Sequence, residues 1–204
     1  MKFFHLVYGR LVRNHAEVLN LVRSKKFNEK TVGYVALSLL LRGSDPVMSS
    51  IVETMKGDLT SAPDPSGKKK KGAPKNDAVQ CLALCSLANI SGLELIQAMH
   101  VEVQHILTSK TSTEQVKKKS ALCLLRLTRT SPDLISGREF APHLGQLLQD
   151  QHLGVVTSAM SLLNGLAHQQ AASYECLIPN VVHVLSLLVM KKESAREYMY
   201  YRTP

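Results

Sequence analysis

"ALCLLRLTRTSPDL" occupies residues 121–134, and its first letters return elsewhere in the chain. Thirty-eight residues before Ala121, Leu122, Cys123 and Leu125 stand Ala83, Leu84, Cys85 and Leu87. Thirty-eight after them stand Ala159, Met160, Ser161 and Leu163. A fourth copy, Ala36, Leu37, Ser38 and Leu40, lies 47 residues before Ala83. The nine extra residues are assigned to a Lys-, Pro- and Gly-rich insertion at 61–76, which falls between those two copies. A small residue, a large apolar one, a second small one and Leu recur at fixed offsets. That pattern is a helix turning the same face to a neighbour in every unit. The spacing fits helical-pair repeats, which run to about 34–47 residues each. An all-α protein is expected, a right-handed α-solenoid of about five helix pairs.

Composition agrees. The chain has 204 residues, 45% hydrophobic and 20% charged, with no Trp and only 5% aromatics. Its apolar volume comes from Leu, Val, Ile, Ala and Met, a helical palette, and alternating β-branched runs are scarce. Helices are expected near 3–12, 15–24, 28–42, 46–60, 77–90, 93–108, 113–130, 138–149, 152–168 and 178–190. Asp45–Pro46 offers an N-cap and a Pro at the first helical position. Ser131–Pro132 ends one helix, and Pro142 is placed in the first turn of another that runs to about Asp150. From His152 onward, Val155, Val156, Ala159, Leu162, Leu163 and Leu166 form one stripe, with Thr157, Ser161 and Asn164 largely off it. The Tyr-rich tail at 196–204 either docks on the last repeat or frays.

Cys81, Cys85, Cys123 and Cys176 make no disulfide framework at this length, which fits a reducing, cytosolic setting. The opening "MKFFHLVYGRLVR" has its apolar run broken by His5 and has no small-residue cleavage site. The longest apolar run, "YVALSLLL" at 34–41, falls short of the ~20 residues that span a bilayer. The chain is therefore expected to lie on a membrane and not to cross it.

Catalytic constellations are missing: no G-x-S-x-G elbow, no phosphate-cradling G-x-x-x-x-G-K-[ST] loop and no G-x-G-x-x-G turn. Cys81 and Cys85 share one helix face but have no second ligand pair at a metal-binding spacing. Cys85 and Cys123 stand at repeat positions also held by Ser38 and Ser161, so small buried residues account for them. His100 and His105 are five apart and face different ways, and His152 opens a helix, where it serves a turn or a contact. No catalytic base, metal or cofactor is expected.

Basic clusters are the better functional candidates. The formal net charge is +9, of which the insertion supplies +4. Lys68, Lys69, Lys70, Lys71 and Lys75 stand among Pro, Gly and Ser, the composition of a disordered segment. They form either a solvated loop or a tether to anionic lipid, each worth about 1 kcal/mol near such a surface. Lys117, Lys118 and Lys119 are expected on the exposed first turn of their helix, as a solvated face or a lipid patch that Arg126 and Arg129 extend.

"ALCLLRLTRTSPDL" with "LLQDQHLGVVTSAMSLL" (147–163) closely resembles the N-terminal trunk of the alpha-adaptin family, the large subunit of the plasma-membrane clathrin adaptor. "AEVLNLVRSKKFNEKTVGYVALSLLL" (16–41) resembles earlier repeats of that trunk, and "YMYYRTP" (198–204) a Tyr-rich segment after them. The resemblance runs in register over nearly the whole chain and implies a HEAT/armadillo-like solenoid. It implies a non-enzymatic scaffold acting in clathrin-mediated endocytosis and intracellular protein transport. Expected partners are small, medium and beta-type adaptor subunits and a phosphoinositide-containing membrane bound peripherally. Cargo tails and clathrin are engaged through the complete complex, with no nucleic acid. The expected place is the cytosol and the cytoplasmic face of the plasma membrane at coated pits.

Two departures accompany the resemblance. The family trunk carries further helices upstream, with much of its phosphoinositide site and part of its dileucine-signal site, so those sites are not carried over. Residues 1–204 are thus expected to be a partial trunk, and the 61–76 insertion has no family counterpart. A partial trunk exposes apolar faces at its ends, so self-association in sedimentation is expected. Rival readings are a large subunit of another adaptor or coat complex, or a soluble armadillo-type peptide-binding protein. The latter would carry a ladder of Asn and Trp, and this chain has no Trp.

Overall fold

Leu, Ala and Val at spacings of three and four fold as helices close to the expected limits. The computed structural model describes residues 15–40, 48–60, 76–90 and 92–200. The expected helix at 3–12, the Asp45–Pro46 cap and the 61–75 part of the insertion lie outside the described residues, as does the tail beyond Tyr200. The helices are α1 (His15–Arg23), α2 (Phe27–Leu40), α3 (Met48–Thr60), α4 (Asn76–Asn89) and α5 (Leu93–Thr108). They continue with α6 (Glu114–Thr130), α7 (Gly137–Leu147), α8 (Leu153–Ala167), the single turn α9 (Ala171–Tyr174) and α10 (Ile178–Tyr200). No strand occurs among the described residues.

Consecutive helices pack as partners: α1 on α2, α3 on α4, α5 on α6 and α7 on α8. The pairs then stack. Helices α2, α4, α6 and α8 follow one another in one layer, and α1, α3 and α5 in the other. The result is an α-solenoid, as the repeat requires, with one continuous core from Val18 to Val184. Helix α6 holds the middle, packed against α4, α5 and α8.

The repeat letters sit on α2, α4, α6 and α8. Ala83, Ala121 and Ala159 are buried at 0–1% exposure. The next two positions depart from the expectation that all four small residues are buried. Leu84 is buried, but Leu122 is 40% exposed. Cys123 is buried, whereas Cys85, Ser38 and Ser161 are half-buried. The core face of α6 is thus turned relative to that of α4. Close packing at Gly165 shows how tightly α6 and α8 are set: a Cβ there would overlap Leu125 Cδ1.

Helix limits show two further departures. Pro142 lies a full turn inside α7, because α7 begins at Gly137 after Ser136. Its missing N–H costs one intrahelical hydrogen bond. After α8 the chain forms α9 and a 3-10 turn, Glu175–Leu177, before α10. The expected end of that last helix at 190 is exceeded, since α10 runs on to Tyr200.

One polar network ties the layers, and one ion pair joins two helices within a layer. The Lys30 ammonium, 8% exposed, donates to Asp58 Oδ1 and Oδ2 at 2.8 and 2.6 Å. The Tyr34 hydroxyl donates to Asp58 Oδ2 at 2.6 Å, and the lysine sits 5.8 Å from the Tyr34 ring centroid. Burial, and then the Asp58 carboxylate beside it, push the Tyr34 phenol far above its usual range. The Ser86 hydroxyl on α4 donates to Tyr34 O at 3.1 Å, joining α2, α3 and α4. A second ion pair, Lys56 to Glu102 at 2.8 Å, links α3 to α5.

Candidate interaction surface

Three consecutive lysines on a helix point about 100° apart, so Lys117, Lys118 and Lys119 do not make one patch. Lys117 turns towards the α7–α8 connection and donates to Asp150 Oδ2 at 3.2 Å, with its side chain 21% exposed. Lys118 is exposed, and its Cδ reaches 3.7 Å from where a Cβ on Gly154 would stand, at the start of α8. Lys119 leans towards α4, near enough to Cys81 to oppose the rise of its thiol pKa. Lys68, Lys69, Lys70, Lys71 and Lys75 lie outside the described residues.

Lys117 belongs to a clasp between α6 and the start of α8. Asp150 Oδ1 accepts from the His152 backbone N–H at 3.0 Å, and His152 Nδ1 meets Glu114 Oε2 at 2.6 Å. His152 thus serves a helix start and a contact, as its position suggests. Partial burial alone would raise the Asp150 carboxyl. The His152 N–H and the Lys117 ammonium outweigh it and hold the carboxyl below its ordinary value. A lowered carboxylate pKa contributes stability that is present above the unfolded-state value and lost as pH falls through the folded-state value. Acid melts of the chain should therefore show a component that Asp150→Asn removes, while the melting temperature near neutral pH falls in the variant. Identical acid profiles for both proteins would contradict this assignment.

Arg126 and Arg129 stand three apart on the exposed side of α6. Neither meets a carboxylate among the described residues, unlike Lys26, Lys30, Lys56 and Lys117. Both border a cleft of about 160 Å3 at the ends of α4 and α6, opposite Asn89.

The cysteines carry no assembled chemistry. Burial first, and Cys85 second, raise the Cys123 thiol far above its usual range, and the same two causes raise Cys81. Such thiols are weak nucleophiles. Cys176 is exposed. Among the described residues no three His, Cys, Asp or Glu side chains are placed to hold a metal ion. His100 Nδ1 lies 2.9 Å from Gln97 O, and His105 is exposed elsewhere on α5.

The last described helix presents the largest apolar face. Ile178, Val182, Leu185, Leu187, Leu188, Val189 and Met190 of α10 are 38–67% exposed. Between α8 and α10 runs a groove of about 390 Å3, lined by Met160, Leu163, Ala167, Tyr174, Ile178 and Val181 among others. Val32, Val35 and Leu39 of α2 are also exposed. The expectation of exposed apolar faces at the ends meets these residues. A correction goes with them. Ala171–Met190, with mean hydropathy 1.5, is long and apolar enough to cross a membrane by length and composition, which the run lengths in the sequence did not suggest. The reason is that Asn180 and His183 interrupt its apolar runs without lowering its average enough. In the fold this stretch is broken by the 3-10 turn at Glu175–Leu177; Tyr174, Leu177 and Val184 are buried in the core, while only 17% of the stretch is buried.

Sequence reasoning missed the exposed Leu122, the α8–α10 groove and the Lys30–Asp58–Tyr34 network. Only the groove had a signal, in the apolar richness of 178–190.

Among the described residues the helical pairs stack as a solenoid with exposed basic and apolar faces, an architecture that offers extended surfaces. The chain belongs to the family described as the adaptin N terminal region, whose model matches residues 11–200. It is similar to the AP-2 complex subunit alpha-1 of Arabidopsis thaliana, 32% identical over all 204 residues. The AP-2 complex subunit alpha-2 of Dictyostelium discoideum is 34% identical over 98% of the chain. The human AP-1 complex subunit gamma-like 2 is 30% identical over 85% of it. The chain spans 19% of the length of the two AP-2 relatives and 20% of the AP-1 relative. One chain of a structure titled as a homology model of the full-length AP-3 complex in an intermediate open conformation superposes with a TM-score of 0.66. It is 20% identical, and the match covers 89% of this chain and 30% of that one. That likeness supports the solenoid fold.

Proposed function

We propose that residues 1–204 act as a non-enzymatic scaffold, a partial adaptin trunk within an alpha-adaptin-like large subunit of a clathrin adaptor complex. Its work is clathrin-mediated endocytosis and vesicle-mediated protein transport. The observation that carries this reading is similarity to AP-2 alpha subunits along the whole chain. Stacked helices offer extended faces to small, medium and beta-type subunits. Weak contacts then add through effective concentration at the membrane. Cargo tails and clathrin are reached through the complete complex.

Membrane contact is peripheral, to phosphoinositide-containing lipid on the cytoplasmic face of the plasma membrane at coated pits. Lys68, Lys69, Lys70, Lys71 and Lys75 of the 61–76 insertion would serve it, with Lys117, Lys118 and Lys119. Because Lys117 is held by Asp150, Lys118 and Lys119 would carry the larger share from α6.

Capture of the tagged protein from its own cells, with partners identified by mass spectrometry, tests the scaffold. Recovery of beta, medium and small adaptor subunits is expected. Recovery of none of them would sink the proposal. The AP-1 gamma-like relative motivates one second reading, a large subunit of another adaptor. Residence on endosomes or Golgi in place of the plasma membrane would favour that one.

A further inference from the structure

We propose that the open apolar face of α2 is the docking site of this chain's own N-terminal segment, residues 3–12, which seats there as a helix preceding α2 in its layer. The repeat register carries the argument. Val32 and Val35 are 59% and 51% exposed. Their equivalents 47 residues on are Val79 and Leu82 of α4, the first buried and the second half-buried against the core. In α6 the equivalent of Val35 is Ser120, and in α8 the pair is Val155 and Ser158, all buried. Lys117, the remaining equivalent, is held by Asp150. Single exposed apolar side chains are ordinary on a protein surface. These two stand at positions that later units of the solenoid cover.

In α4 the covering element is the preceding helix of the layer. One turn beyond Leu82, the Ser86 hydroxyl donates to Tyr34 O of α2 at 3.1 Å. Helix α6 packs on α4, and α8 on α6, in the same order. The face of α2 that carries Val32 and Val35 is therefore the seat of an earlier helix. Residues 3–12, "FFHLVYGRLV", fit that seat by pattern and by tether. At 3.6 residues per turn, Phe4, Val7 and Leu11 fall on one side, flanked by Phe3 and Tyr8, with His5 and Gly9 opposite. Their spacing is that of Val32, Val35 and Leu39, so both stripes run for about 11 Å at 1.5 Å per residue. Helix α1 starts at His15 and packs on α2. That leaves Arg13 and Asn14 as the connection, within the roughly 2–8 residues usual between packed helices. The order then repeats that of α4, α5 and α6. A tether this short gives the segment a high effective concentration at the seat, which favours it over the same segment of a second copy.

The test uses the full chain. A photoreactive benzophenone amino acid replaces Val35 in one variant and Val101 in another; Val101 is also exposed, but on α5 in the other layer. Equal amounts of 15N-labelled and unlabelled protein are mixed and irradiated, and the cross-linked peptides are identified by mass spectrometry. The probe at residue 35 should join to residues 3–12 of its own chain, and the probe at residue 101 should not. Val7→Asp should abolish that cross-link and lower the melting temperature. Carbene footprinting of the protein without any probe provides a second measurement. Labelling of Val32 and Val35 should rise severalfold in the Val7→Asp variant, while labelling of Val101 stays constant. Cross-links that mix labelled with unlabelled chains would give the face to a second copy and overturn the proposal. So would cross-links from residue 35 to any other segment, no cross-link at all, or equal footprints of Val32 and Val35 in the two proteins.

Discussion

Replacing Asp58 by Ala is expected to destabilise the chain by about 3–5 kcal/mol, the cost of breaking a buried ion pair from one side. The carboxylate accepts from three donors: two bonds from Lys30 at 2.8 and 2.6 Å and one from Tyr34 at 2.6 Å. Its removal strands an ammonium that is 8% exposed and a phenol that is 1% exposed. Lysine can snorkel only part of the way to water, because its side chain is only 10% exposed. The effect should spread beyond α3, since Ser86 on α4 reads the same turn of α2 through Tyr34 O. Urea denaturation measures it, as a lowered midpoint at unchanged slope. The double replacement Lys30→Met with Asp58→Leu separates charge loss from pair loss. It should recover most of the stability, because well-packed apolar residues often replace a buried pair at little cost. If Asp58→Ala costs under about 1 kcal/mol, as surface pairs do, the network is a solvated pair and the account of the α2–α3 contact is wrong.

The periodic parts of the chain were legible in its letters. Helix α5 has the expected limits, Leu93–Thr108. The six residues expected on the α8 stripe are all buried, and Thr157 and Asn164 lie outside it, as patterning at 3.6 residues per turn requires. What was not legible depends on how neighbouring helices rotate. Leu122 and Leu84 occupy the same repeat position, yet one faces solvent and one the core. Letters carry size and polarity, but not the turn of α6 relative to α4. The gap between the expected helices at 152–168 and 178–190 was legible, but the single turn α9 and the 3-10 turn at Glu175–Leu177 within it went unforeseen. The Lys30–Asp58 pair joins residues 28 apart through a three-dimensional crossing that no local pattern encodes. For the same reason the three lysines of α6 read as one cluster, although geometry sends Lys117 to Asp150 and Lys119 towards Cys81. Arg126 and Arg129 were visible as charges. Their shared cleft needed α4 beside them.

Gly33→Ala should destabilise the chain although it removes a glycine from the middle of a helix. At an open helical site the same change stabilises by up to about 1 kcal/mol, through backbone entropy and helix propensity. At Gly33 an added Cβ would stand 2.6 Å from Val22 N, 2.8 Å from Leu21 C and 2.9 Å from Leu21 Cβ. The first two are backbone atoms of α1, so no rotamer change relieves them. Relief requires α1 to move off α2, which opens the packing around Val22, a residue with no exposure. Overpacking of this kind costs about 1–3 kcal/mol and outweighs the propensity gain. Gly57→Ala in α3 is the matched comparison, because nothing lies within 4 Å of its added Cβ. The pair should differ in sign: a lower melting temperature for Gly33→Ala and an equal or higher one for Gly57→Ala. The contact within the first described helical pair is then set by the missing Cβ of one residue. If both variants melt higher, α1 yields freely, and the close crossing of α1 over α2 contributes little to the solenoid's stability.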